Sequence, residues 1–148
     1  MSIEAFVSKF NAALDEAVHQ AMETDITDSA KAMIAGAVQT EVYNAYEPVM
    51  YQRRGELGED GGLNDFDVME AQYDRTTMTL EVQDMSRDEE TGRLIAPVVE
   101  SGKGYQYKWS GQKPRPFHKK AQEDLAASGL VGEALKKSLK AFGFSVDK

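Results

Sequence analysis

The chain has no cysteine, one tryptophan and only two histidines, and none of its apolar runs approaches the ~18 residues of a membrane-spanning helix. Without cysteine there are no disulfides and no thiolate metal sites, which fits a reducing compartment or a protein indifferent to redox. His19 and His118 lie far apart and neither sits in a ligand-spaced cluster; His118 borders Lys119 and Lys120, which disfavour both its protonation and metal capture. No nucleophile elbow surrounds any serine. The glycines at 55, 58, 61 and 62 lack the Gly-Lys-Ser/Thr ending and the preceding strand of a phosphate loop. The first residues, MSIEAFVSKF, lack the basic and apolar regions of a signal peptide. These absences lead to the expectation of no catalytic residue, no metal, no cofactor and no membrane.

The 148 residues suit one domain, 1–148, with 41% apolar and 28% charged side chains. The net charge of −8 is unevenly spread, at −6 over residues 1–50, −8 over 51–92 and +6 over 93–148. Such polarity suits two surfaces of opposite sign that stack head to tail, or simply the solvated faces of helices.

Phe6, Phe10, Leu14, Val18 and Met22 recur every four residues behind a capping Ser2, predicting an amphipathic helix to about Met22 that packs in the core or against another subunit. Thr24 to Asp28 reads as an interruption. A second helix follows from about Ser29 to Ala45, carrying Ile34, Val38 and Val42 on one line, and Glu47-Pro48 ends it. The loop from Tyr51 to Gly62 holds Arg53 and Arg54. This pair either clamps carboxylates or phosphates of a neighbour or neutralises Glu56, Glu59 and Asp60.

The apolar period then changes to two. Met69, Ala71 and Tyr73, then Met78, Leu80 and Val82, predict a β-hairpin turning at 74–77 with one buried face. Ser86 to Gly92 is a charged, mobile tip, and Arg93 to Ala96 is a candidate third strand. Pro97 suits the first turn of a short helix that Gly102 caps. Tyr105, Tyr107 and Trp109 share one face if that segment is extended. With Lys103, Lys108, Lys113 and Arg115 nearby they form either a protein interface or a stacking platform for single-stranded nucleic acid. Pro116 opens a helix to about Ala127, anchored by Phe117 and Leu125. Ser128-Gly129 breaks the chain before a last helix from Leu130 to Phe142, which Gly143 and Phe144 close in a Schellman cap. The fold class is therefore α+β: N-terminal helices, a small antiparallel sheet, and C-terminal helices packed on it.

Two stretches carry a family resemblance. Val99, Glu100, Ser101 and Gly102 followed by Pro116 and Phe117, and the run YEPVMYQRRGELGEDGGL from Tyr46 to Leu63, together about a third of the chain, resemble the tail-completion and neck proteins of tailed bacteriophages, which include the minor tail protein Z of phage lambda. The resemblance implies a structural virion protein, assembled in the host cytoplasm and located in the neck or tail. It implies a homo-oligomeric ring between head and tail whose partners are itself, the tail terminator or tail-tube protein and the head-side portal or connector ring. DNA would pass through the lumen without sequence-specific binding. Arg53, Arg54, Tyr105, Tyr107, Trp109 and Arg115 are the expected interface residues, with Glu100 and Gly102 shaping a turn. The alternatives are a nucleic-acid-binding module on residues 103–120 and a metal-dependent nuclease using Glu100 and Lys103. The nuclease lacks the acid-x-lysine spacing, and the acidic pairs Asp65/Asp67 and Asp88/Glu89/Glu90 would hold Mg²⁺ only weakly.

Overall fold

The hydroxyl of Ser2 accepts the Ala5 N–H at 3.1 Å and starts the longest run of helix in the protein. The computed structural model describes residues 2–45, 61–105 and 112–147. Helix α1 (Ile3–Ala21) runs without interruption through a π turn (Met22–Ile26) into α2 (Thr27–Ala37), then through a second π turn (Val38–Val42) into a 3₁₀ turn (Tyr43–Ala45). The expected break at Thr24 to Asp28 does not occur. Hydroxyls in and just after it bond back to the preceding turn: Thr24 Oγ1 donates to the Gln20 carbonyl at 2.7 Å, Thr27 Oγ1 to Met22 at 2.6 Å, and Ser29 Oγ to Asp25 at 2.7 Å. Such back-bonding widens a turn without ending the helix. The predicted stop at Glu47-Pro48 lies outside the described residues.

The hairpin pairs β1 (Met69–Asp74) with β2 (Thr79–Asp84) antiparallel, Met69 opposite Asp84 and Tyr73 opposite Leu80. Its inner face carries Met69, Ala71 and Tyr73 on one strand and Leu80, Val82 and Asp84 on the other. Met78, expected in the second strand, instead sits in the turn at φ 53°. The Asp74 carboxylate fixes that turn by accepting the Thr76 N–H at 2.8 Å. The candidate third strand does not join the sheet. Arg87 and Leu94 form an isolated bridge, and the chain enters α3 (Ala96–Ser101) at once because Pro97 presets helical φ. Within the charged tip, Asp88 Oδ1 accepts both the backbone N–H and the hydroxyl of Thr91 at 2.8 Å, closing it as a hydrogen-bonded turn.

Helices α4 (Phe117–Ser128) and α5 (Leu130–Ala141) turn about Gly129, at φ 75°. The expected Schellman cap closes α5, with Phe144 N–H on the Leu139 carbonyl and Gly143 N–H on Lys140, each at 3.0 Å. Helix α2 packs on α4, and α1 lies along α5, where Ser138 Oγ donates to the Ala17 carbonyl at 2.6 Å. The main core gathers Ile34, Val38, Val42, Leu63, Met69, Val99 and Ala121 around the fully buried Phe117. A smaller cluster of Ala21, Ile26 and Ala134 sits under α5. The arrangement is α+β, as expected. Among the described residues no helix is long and apolar enough to cross a membrane.

Gly102 ends α3 at φ 67°, and a Cβ there would lie 2.7 Å from the Lys113 carbonyl carbon and from Pro114 N. Both the left-handed conformation and this backbone crossing require glycine. Gly102→Ala is therefore expected to destabilise the fold by about 1–3 kcal/mol in chemical denaturation; a change within the ±0.5 kcal/mol of an ordinary surface substitution would show that the crossing is not fixed.

Candidate interaction surfaces

Pro116 stands at the N-cap of α4 and has no side chain with which to satisfy the orphan N–H groups there. Glu100, at the end of α3, supplies the missing acceptor. Its Oε1 takes the His118 backbone N–H and the His118 Nδ1–H, each at 2.9 Å. The carboxylate thus caps a helix of another segment and places negative charge where the helix dipole favours it. The opposite ring nitrogen, Nε2, accepts the Asp84 backbone N–H at 3.0 Å, so His118 carries its proton on Nδ1. One imidazole therefore ties α3, α4 and β2 together. With both nitrogens engaged, it is not presented as a base or a ligand.

Asp84 is only 3% exposed. Its Oδ1 accepts the Ser86 N–H at 2.8 Å, whereas Oδ2 is buried and has no partner among the described residues. Desolvation pushes the carboxyl above the ordinary aspartate range; the Ser86 hydrogen bonds and His118 act in the opposite direction, and the Glu100 charge adds to the rise. Asp84 lines a cavity of about 860 Å³ between β2, the α1–α2 rod and helices α3, α4 and α5. Sequence reasoning missed this aspartate. The signal was a carboxylate in the inward register of Leu80 and Val82.

The second surface is helical. The stripe read as amphipathic on α1 buries only its C-terminal half. Ile3 is 81% exposed, Phe6 61%, Val7 47%, Phe10 46% and Leu14 36%, whereas Ala17 and Ala21 are covered by α5. Phe10 meets Phe144 edge-on at 5.4 Å and Phe6 at 6.4 Å, so the aromatic row runs from α1 onto the segment after α5. Exposed Leu130 and Phe142 add to the apolar surface of α5. At the other end of α1, Arg75 of the hairpin turn binds Asp15 and Glu16 and donates to His19 Nδ1, while His19 stacks on Tyr73 at 5.7 Å.

Of the expected interface residues, Arg53, Arg54, Tyr107 and Trp109 lie outside the described residues. Tyr105 and Arg115 are partly buried, and the Arg115 N–H donates to the carbonyls of Val99 and Glu100 at 3.2 and 3.1 Å. Arg115 thereby belongs to the Glu100–Gly102 turn as much as to the surface. Part of the basic C-terminal segment meets the N-terminal helices, since α5 lies along α1 and Lys137 reaches Asp25 at 2.8 Å. Among the described residues, no group of three His, Asp or Glu side chains converges as metal ligands would.

The model of the YomN family matches residues 7–141. The chain belongs to the YomN family. One relative, the SPbeta prophage-derived uncharacterized protein YomN of Bacillus subtilis (strain 168), is 35% identical over 114 residues, 72% of this chain and 70% of the relative. No solved structure matches the chain. The YomN match supports the phage-derived origin read from the sequence; the family named by it is YomN, and the likeness to tail-completion proteins rests on the short runs quoted above.

Burial of Asp84 has a consequence for pH. The folded chain keeps a proton on Asp84 at pH values where the unfolded chain, with an ordinary pKa near ~3.9, has lost it. Stability from this group therefore falls as pH rises from about 4 through the raised value. Asp84→Asn removes the term. The variant is expected to gain stability relative to the wild type between mildly acid and neutral pH, in denaturant titrations at each pH. A difference that is flat or reversed would show that Asp84 is solvated.

Proposed function

We propose that this YomN-family chain is a structural protein of a tailed-phage particle, a ring-forming tail-completion or head–tail connector subunit that acts by fitting against copies of itself and its neighbours. The observation that carries the reading is the uncovered aromatic and aliphatic row of α1, continued by Phe144. Soluble monomers rarely expose a contiguous apolar patch of this kind, and patches of this kind mark protein interfaces. Family membership with a prophage-derived relative and the Val99–Gly102 and Pro116–Phe117 runs support the phage setting.

In a ring the contact is heterologous, so the α1 row of one subunit meets a different face of the next. Partners in this reading are the chain itself, the tail terminator or tail-tube protein and the head-side ring, with DNA passing through the lumen. No bond is made or broken. Tyr105, Arg115 and the undescribed Arg53, Arg54, Tyr107 and Trp109 belong to these contacts in the proposal.

Replacing two exposed rings, Phe6→Glu with Phe10→Glu, tests it. The wild type should show an oligomeric mass by light scattering and closed rings in electron micrographs. The double variant should remain a monomer with unchanged helical circular dichroism. A wild type that stays monomeric alone and with tail proteins, and binds DNA in a salt-sensitive manner, would overturn the reading in favour of nucleic-acid binding by residues 103–120.

A further inference from the structure

The hairpin is a two-stranded sheet, and among the described residues no strand pairs with its β2 edge. The Asp84 N–H leaves the sheet to reach His118 Nε2, whereas the Met85 N–H turns the other way, to the Val68 carbonyl next to β1. By the two-residue alternation of a strand, the N–H and C=O groups of Val82 and Leu80 also point away from β1, about 6.7 Å apart along the strand. Among the described residues, none of these four groups has a hydrogen-bond partner.

This edge is a wall of the 860 Å³ cavity. Every residue from Leu80 to Met85 lines it. Consecutive residues of a strand, whose side chains alternate between its faces, border one cavity where that cavity runs along the strand's edge. Ile26, Ile34, Leu125 and Val131 supply apolar walls. The charged lining comprises Glu81, Asp84 and Glu100 against Lys119, a net negative set, with Asp84 Oδ2 unpartnered.

We propose that the groove beside β2 receives an extended segment of a partner protein, which adds a third strand along Leu80–Val82 and brings a lysine or arginine to the acidic lining. Repeating edge donors and acceptors are satisfied together only by another strand, which is why a peptide and not a compact small molecule fits. Alternate side chains of the segment enter the apolar walls, and its basic group lies against the net negative set of Glu81, Asp84 and Glu100. This surface lies away from the exposed N-terminal half of α1 and goes beyond the ring proposal: the ring uses the helical row, the groove takes a strand.

The test uses displayed random decapeptides selected on the full-length protein. Selection should enrich sequences that alternate apolar and polar residues around one lysine or arginine. Val82→Pro deletes an outward N–H without touching the ladder to β1, and should weaken the selected peptides by about tenfold or more. Glu81→Gln with Asp84→Asn should abolish the preference for a basic residue. Amide exchange gives a readout that needs no variant. In the free protein the Leu80 and Val82 amides should exchange fast and Glu81 and Gln83 slowly, and bound peptide should protect the first pair. Failure to enrich any alternating sequence, equal binding to Val82→Pro, or Leu80 and Val82 amides already slow in the free protein would each overturn the proposal. Dimerisation that Val82→Pro abolishes would also overturn it, by making the occupant a second copy. None of these outcomes depends on whether Phe6 and Phe10 drive ring formation.

Discussion

One imidazole fixes the relation between the helices and the sheet. His118 donates through Nδ1 to Glu100 and accepts through Nε2 from the Asp84 backbone, joining three segments whose own hydrogen bonding would leave them separable. The arrangement is possible because Pro116 cannot cap α4 and Glu100 does so from α3. Phe117, next in the chain, is then held at the centre of the core with no exposed surface. Removing the Glu100 acceptor would leave a helix N-terminus and a ring nitrogen without their partner together, both in a half-buried setting where water only partly replaces it.

This joint also determines what remains outside. It holds the hairpin to α4 at the Asp84 end, and the rest of β2 borders a groove. Likewise α5 covers α1 only around Ala17 and Ala21, where small residues and the Ser138 hydrogen bond allow close approach, and the aromatic half of α1 stays uncovered. The two surfaces are chemically different. One offers rings and no directional groups; the other offers backbone donors, acceptors and a carboxylate. In the proposed function, binding copies of the chain and unlike neighbours would use both.

The sequence made several elements legible because their signals are local. Pro97 and Gly102 marked α3, Gly143 and Phe144 marked the end of α5, and period-two alternation marked the hairpin face. Thr24 to Asp28 misled because the same hydroxyls that cap a helix also bond back to its carbonyls, and only the neighbouring packing decides between the two. Met78 looked like a strand residue by alternation, yet the Asp74 turn needed one more residue at positive φ. Glu100 was read as shaping a turn, but its pairing with His118, eighteen positions away, is tertiary and leaves no spacing signature. The α1 stripe was visible as a stripe; which half of it would stay uncovered depended on where α5 docks.

The central claim is that this YomN-family chain works as a fitted component of a phage particle. Electron cryomicroscopy of particles released from a host whose prophage carries this gene tests it most directly, with the protein also sought in the purified particles by mass spectrometry. The account predicts density matching the long helical rod and hairpin, in a closed ring at the junction of head and tail. Intact particles that contain no copy of the chain would contradict it.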